Sequence, residues 1–293
     1  MTDYKDTPPF LVQVVGWSQT GKTVYLDALT LMLQRVVRVW QDFLSVAAND
    51  EAQTHISNLN ASMAQRGELA TVTQRGIQAV YIMLLKNMPR WGNRAMLVRD
   101  CAGEYFDTMK IPVDEVPYLL HAPTALLFVS LHDLAQPGYG RTMDMLFNNY
   151  INTLLSHKFD FKRDPRSAVI VLSKGDKIPD LPNNLRQYLA DDPIWHATAN
   201  PASVLKLNEK RMAEYVESMT RVSDFIQDWL TWREPTAANM VRHARDRGLK
   251  LRFSVISSTG ADVNPNDQRR LMDSLAPRRV LDPFFWAMEF QSR

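Results

Sequence analysis

Eight residues, Gly16-Trp17-Ser18-Gln19-Thr20-Gly21-Lys22-Thr23, constrain the fold of this chain more than any other stretch. They match the phosphate-binding pattern G-x-x-x-x-G-K-[ST] at every fixed position. The β-prone run Phe10-Leu11-Val12-Gln13-Val14-Val15 precedes them, and Val24-Tyr25-Leu26-Asp27-Ala28-Leu29 opens a helical pattern after them. Strand, glycine-bounded loop and helix form the context in which this pattern holds an anion. Glycines at 16 and 21 let the backbone turn tightly with its N–H groups pointing inward. The positive end of the following helix lies beneath the phosphates. In such a loop the Lys22 ammonium reaches β- and γ-phosphate oxygens, and the Thr23 hydroxyl ligates Mg²⁺. The candidate nucleotide contacts are Gly16, Ser18, Gln19, Thr20, Gly21, Lys22, Thr23 and Val24.

With 293 residues the chain can bury a sizeable core, as one large α/β domain or a domain with insertions. A net charge of +2 selects no polyanionic partner. The arginine groups (Arg269-Arg270, Arg278-Arg279, and Arg242, Arg245 and Arg247) are short and interrupted by acids. They read as solvated surface rather than a nucleic-acid stripe, so no direct nucleic-acid partner is expected. A single cysteine, Cys101, excludes a disulfide framework and a cysteine zinc site within this chain, which fits a reducing compartment. No apolar stretch is long enough for a membrane span, and Met1 to Asp6 lack a signal-peptide core. A cytoplasmic location is expected.

The pattern after the loop predicts one long helix over Val24–Val46, a helix over Glu51–Gln65 and a break at Gly67. Strands over Ile77–Leu85 and Arg94–Arg99, with the turn Pro89–Asn93 between them, predict an antiparallel hairpin. The second strand ends in Asp100-Cys101-Ala102-Gly103-Glu104. An acid at the carboxyl end of a strand is where such folds hold Mg²⁺, and a glycine three residues on offers an N–H to a γ-phosphate. Buried-type strands follow at Thr124–Ser130 and Ser167–Leu172, with a helix over Arg141–Leu155 between them. The second of these strands delivers Ser173-Lys174-Gly175-Asp176. There a lysine stem can lie over a purine ring, and the Asp176 carboxylate can accept from guanine N1–H and the exocyclic amine, a donor pair that adenine lacks.

Helices are predicted over Leu185–Leu189, Pro201–Trp232 and Thr236–Arg247, and a last strand over Leu249–Ile256. That strand delivers Ser257-Ser258-Thr259, placed to meet the base from its other edge. The aromatic tail Arg279 to Phe290 is expected to close the core as a helix, with a docking surface as the alternative.

These elements, in this order, resemble the GTP-binding domain of the Ras-like superfamily of P-loop GTPases. Gly16–Thr23 is the phosphate loop, Asp100–Gly103 the Asp-x-x-Gly element, Ser173–Asp176 a variant of Asn-Lys-x-Asp, and Ser257–Thr259 a changed Ser-Ala-Lys element. Within the superfamily, the Gly-Trp-Ser start of the loop and the Asp-Pro-aromatic-aromatic-Trp tail look most like the bacterial double-GTPase-type proteins. The resemblance implies an α/β three-layer sandwich with a mostly parallel sheet and one antiparallel hairpin strand. It implies one domain over 1–293, with a helical insertion at about 47–70 and helical additions at about 185–247.

It also implies a switch between GTP and GDP forms that requires Mg²⁺ and signals to a protein effector or activating partner. Lys22, Gly103 and Glu104 would then be catalytic. Thr23, Asp100 and an upstream threonine (Thr71 or Thr73, with Thr73 taken as the ligand) would hold the metal. Ser173 stands where the family has Asn, which implies the loss of a tethering amide and lower guanine affinity. Glu104 stands where a water-orienting Gln is common, and a carboxylate beside a triphosphate is repelled, which implies slow hydrolysis. Arg75 and Arg99 are candidates to act in cis, although as exposed residues beside strands they read as solvated. An ATPase or small-molecule kinase, or a non-hydrolysing nucleotide-binding scaffold, remains open from the residues alone.

Overall fold

A computed structural model describes residues 7–40, 42–69, 80–99, 105, 116–134, 142–200 and 208–292. The organising unit is a seven-stranded sheet of order β2-β3-β4-β1-β5-β6-β7. Its strands are β1 (Pro9–Gly16), β2 (Leu44–Ala47), β3 (Tyr81–Met88), β4 (Gly92–Arg99), β5 (Thr124–Ser130), β6 (Ser167–Ser173) and β7 (Lys250–Val255). Strand β1 pairs in parallel with β4 on one side and β5 on the other, and β5, β6 and β7 continue in parallel. Strands β3 and β4 form the predicted antiparallel hairpin. This is the mostly parallel three-layer α/β arrangement that the motif order predicts.

The central strands read as unbroken apolar runs because both faces are covered. In β5, Leu126 and Phe128 join the core on one face while Ala125, Leu127 and Val129 join the core on the other. In β6 the same alternation separates Val169 and Val171 from Ala168, Ile170 and Leu172. Helices α1 (Lys22–Val36) and α10 (Leu281–Gln291) contribute to the first layer. Helices α5 (Met143–Ser156) and α9 (Pro235–Asp246) contribute to the second. Helix α8 (Glu209–Arg233) serves both, with Met212 and Met219 in one core and Ile226 and Leu230 in the other. The remaining helices are α2 (Asp50–Leu59), continued by one π-helical turn, and the short α3 (Val116–His121), α4 (Leu131–Leu134), α6 (Asn183–Ala190) and α7 (Pro193–Ala199).

Several sequence expectations change. The long helix over Val24–Val46 ends at Val36, and Asp42 adopts a left-handed φ of 61° that a helix does not accommodate. Residues 44–47 instead form the sheet edge, pairing antiparallel with β3 from Leu44↔Lys86 to Ala47↔Met83. Cross-strand pairing outweighs the local helical pattern there. The helix expected from Pro201 begins at Glu209, where the Asn208 side chain accepts from Arg211 N, and residues 201–207 lie outside the described residues. Helix α7, capped by Asp192, was not expected. Nor was the hairpin of β8 (Val263–Asn264) and β9 (Asp267–Leu271), which is joined by an isolated bridge between Glu68 and Arg270. The helix expected over Glu51–Gln65 is present as α2 and its π turn.

The aromatic tail closes the core. Phe284, Phe285, Trp286 and Met288 are all buried in α10. Trp40 and Trp91 both pack on Phe285, with ring centroids 5.7 and 5.2 Å away. The Arg278-Arg279 pair is not solvated surface: Arg279 is buried, and its guanidinium donates to Tyr188 O, Asp191 O and Tyr215 Oη at 2.6–3.0 Å. Asp282 completes this cluster by accepting from the hydroxyls of Tyr188 and Tyr215, each at 2.6 Å.

Candidate functional site

Parallel pairing brings the carboxyl ends of β1, β5, β6 and β7 to one edge of the sheet. The chain reverses direction across β1, which lies between β4 and β5, and ligands of open α/β sheets bind outside such a crossover. The phosphate loop leaves β1 there. Gly16 is packed so closely that a Cβ would lie 2.9 Å from Phe128 O and 3.0 Å from Thr20 Oγ1. Gly21 sits at φ +87° with nothing within 4 Å of its would-be Cβ, so the loop turns into helix α1 beside open space. The buried Lys22 ammonium donates to Gly16 O and Trp17 O at 3.0 and 2.8 Å and so spans the loop from within. The Thr20 hydroxyl donates to Trp17 O at 2.9 Å, and Tyr25 N bonds Gly21 O to open the helix. Ser18 and Gln19 belong to the loop, and Thr23 and Val24 to the first turn of α1. Gln19 has a φ of 67°, a backbone state that turns successive N–H groups toward a common centre. A glycine-bounded loop at a helix N-terminus, with a buried lysine held on the loop's own carbonyls, has the chemistry that fits a polyphosphate.

Strand β6 ends in Ser173, whose buried hydroxyl donates to Thr20 O at 2.8 Å and lies 3.4 Å from Val129 O. The tethering amide of an asparagine is absent here, and the Ser173 hydroxyl reaches the phosphate loop in its place. Lys174 has a left-handed backbone, φ 54°, and its ammonium lies 2.8 Å from Asp133 Oδ2. Asp133 stands in α4, just past the end of β5, and its N–H approaches Ser130 Oγ at 3.3 Å. Sequence reading missed Asp133. The signal was an acid three residues beyond a buried strand on the edge that carries the other motifs.

Gly175 N bonds Ile256 O at 2.8 Å, which joins the Lys174–Asp176 turn to the segment entering Ser257. Lys177 then lies 3.0 Å from Asp176 Oδ2 and also pairs with Asp262 beyond the Ser257–Thr259 turn. Its ammonium is held above its usual range: the carboxylates of Asp262 and Asp176 outweigh the opposing effect of partial burial. Ser257 is buried and exchanges two backbone bonds with Arg278, at 3.1 and 2.8 Å, while Ala276 N bonds Thr259 O at 2.7 Å. Ser258 and Thr259 remain half-buried. The two expected base-facing turns are thus neighbours, each anchored on its own strand.

Asp100, Gly103, Glu104, Thr71, Thr73 and Arg75 lie outside the described residues. Of the expected magnesium ligands only Thr23 is described, in the first turn of α1. Among the described residues no cluster of three His, Cys, Asp or Glu side chains could hold a metal. Arg99, expected as an exposed candidate, is buried, with its guanidinium 4.2 Å from the centre of the Tyr118 ring. No described helix is long and apolar enough to cross a membrane.

Strand order and phosphate loop together define a P-loop α/β fold. No protein-family model matches the chain, and no curated protein matches its sequence. Solved structures with a similar arrangement include nucleolar GTP-binding protein 1 from Plasmodium falciparum. That match has 11% identity and a TM-score of 0.37 over 97% of this chain and 87% of the other. The SRb-GTP/SRX complex of the signal recognition particle receptor from Chaetomium thermophilum is similar at 12% identity and a TM-score of 0.35, over 88% and 93%. A bacterial selenocysteine-specific elongation factor is similar at 11% and 0.31, over 86% of this chain and 26% of that longer one. Likeness at these scores carries no argument about function, and the fold class rests on strand order and loop geometry.

Proposed function

We propose that this chain is a guanine-nucleotide-binding switch that binds GTP and GDP with Mg²⁺, hydrolyses GTP slowly and passes its state to a protein partner. The observation that carries the reading is the Ser173–Thr20 hydrogen bond, which couples the phosphate loop to the turn bearing Lys174 and Asp176. A phosphate cradle tied to a base-facing carboxylate suits a purine nucleotide that reports on both ends of the site. In this reading Lys22 neutralises the β- and γ-phosphates, Thr23 and Asp100 hold Mg²⁺ with Thr73, and Gly103 senses the γ-phosphate. Lys174 and Asp176 select guanine, with Ser257–Thr259 against its other edge. Glu104 cannot donate to an attacking water as an amide does, which fits slow intrinsic turnover and acceleration by a partner.

The test is magnesium-dependent binding of labelled GDP and ATP analogues to the full chain and to Asp176→Ala. Tight GDP binding that is lost in the variant supports the reading. Preference for the ATP analogue, or indifference to the substitution, overturns it in favour of an ATPase or kinase. Binding without multiple-turnover phosphate release would leave a nucleotide-binding scaffold.

A further inference from the structure

The turns that follow β6 and β7 are joined without any help from charged side chains. Gly175 N bonds Ile256 O at 2.8 Å, and a Cβ on Gly175 would meet Val255 Cγ2 at 2.8 Å and Leu189 Cδ1 at 2.9 Å. Backbone packed this closely fixes the Gly175–Lys177 turn against the end of β7. The facing turn is fixed as firmly. Gly260 has a φ of +62°, its N–H bonds Ser257 Oγ at 3.0 Å, and a Cβ there would fall 1.8 Å from Ala276 O. Further along, the Asp262 carbonyl accepts from Met272 N at 2.8 Å. Lys177 and Asp262 thus extend from two rigid points, and their side chains form an ion pair.

An isolated pair at such exposure, 36% for Lys177 and 67% for Asp262, adds little to stability. A second carboxylate sets this one apart. The Lys177 ammonium also lies 3.0 Å from Asp176 Oδ2, so one cation bridges the acid of the base-facing turn and the acid beyond the other turn. Among the described residues no other side chain pairs with Asp176, which is 28% exposed. A carboxylate offers about four lone-pair sites. With one taken by Lys177, enough remain for the two donors of a guanine edge, and the group is oriented before a base arrives. Asp262 competes for the same ammonium, which keeps Lys177 from acting as a counter-ion to Asp176 alone.

We propose that Lys177 and Asp262 are positioning residues for base selection: the bridge from Asp262 through Lys177 orients the Asp176 carboxylate toward guanine N1–H and the exocyclic amine. This rests on the reading of the site as a guanine site and adds the device that sets its selectivity. Lys177 acts on the base only through Asp176, and Asp262 only through Lys177.

The test compares GDP with inosine diphosphate, which keeps N1–H but lacks the exocyclic amine, by competition against labelled GDP on the full chain with Mg²⁺. Wild type is expected to prefer GDP. Lys177→Met should weaken GDP binding about fivefold and narrow that preference, because a carboxylate free to rotate loses the two-donor contact first. Lys177→Arg should restore most of the preference. Asp262→Asn should act in the same direction more weakly, and adding it to Lys177→Met should change nothing further. A turn that is merely loosened weakens both nucleotides alike. An unchanged preference in Lys177→Met, or additive effects of the two substitutions, therefore overturns the proposal. Asp176→Ala separates this failure from failure of the guanine reading. If GDP binding survives Asp176→Ala, the guanine reading falls and the proposal with it. If GDP binding is lost there while Lys177→Met keeps the wild-type preference, the proposal alone falls.

Discussion

Ser173 Oγ donates to the carbonyl of Thr20 across 2.8 Å, joining the end of β6 to the phosphate loop although 153 residues separate the two in sequence. Both residues are buried, so water does not replace the bond when it is lost. Ser173→Ala is expected to reduce GDP affinity about fivefold to tenfold, since a buried hydrogen bond contributes roughly 1 kcal/mol and 1.4 kcal/mol is tenfold. Equilibrium titration with labelled GDP checks this. Unchanged affinity would mean that the loop holds its shape without the tether.

Asp133 fixes the Lys174 ammonium at 2.8 Å, with side-chain exposures of 14% and 35%. A lysine that serves as a platform for a base gains from this restraint, because the bound rotamer is ordered before the ligand arrives. Asp133→Ala should therefore weaken GDP binding several-fold, chiefly through faster release, while Asp133→Asn retains most of the affinity. Stopped-flow displacement of labelled GDP separates the two rates. Equal release rates in wild type and Asp133→Ala would exclude a positioning role.

The β3–β4 turn is pinned to the tail at Glu289. Trp91 Nε1 donates to Oε1 at 3.0 Å, Arg90 Nη2 donates to Oε2 at 3.1 Å, and Arg90 Nε also pairs with Oε1. Glu289 is only 5% exposed. Glu289→Gln should lower unfolding free energy by about 1–3 kcal/mol, the cost of a poorly satisfied buried charged hydrogen bond. Nucleotide affinity should stay within about twofold, since α10 closes the core and Glu289 holds the β3–β4 turn. Urea unfolding together with GDP titration reads both, and a large loss of affinity at unchanged stability would contradict the structural role.

Asp282 predicts a pH dependence. Complete burial pushes its carboxyl from the ordinary 3.8 up to about 6, against the opposing pull of Arg279 and the hydroxyls of Tyr188 and Tyr215. The folded protein therefore retains a proton that the unfolded chain releases. The stability this confers is full below about pH 4 and is lost as pH rises to about 6. Asp282→Asn removes the titration. The difference in unfolding free energy, wild type minus variant, should then fall across that window by about 1.4 kcal/mol per pH unit and level off above it. Chemical unfolding at several pH values measures the difference. A rise over the same window would show that attraction to Arg279 outweighs burial.

The sequence by itself determined the phosphate loop, because its strand, glycines, lysine and helix start are contiguous and their physics is local. It also determined the central strands, since runs such as Thr124–Ser130 and Ser167–Leu172 leave only a sheet position buried on both faces. Tertiary structure decided whatever depends on partners far along the chain. Residues 44–47 became a strand because β3 supplied hydrogen bonds that no local pattern announces. Ser173 proved to be a tether because Thr20 O lies within reach of its hydroxyl. Asp133 joined the site because β5 ends beside β6. Arg278 and Arg279 look alike in sequence, yet Arg279 is absorbed by tyrosines and carbonyls while the Arg278 guanidinium lies 5.2 Å from the centre of the Trp195 ring. A side chain's charge is written in the sequence, but its neighbours are set only when the layers pack.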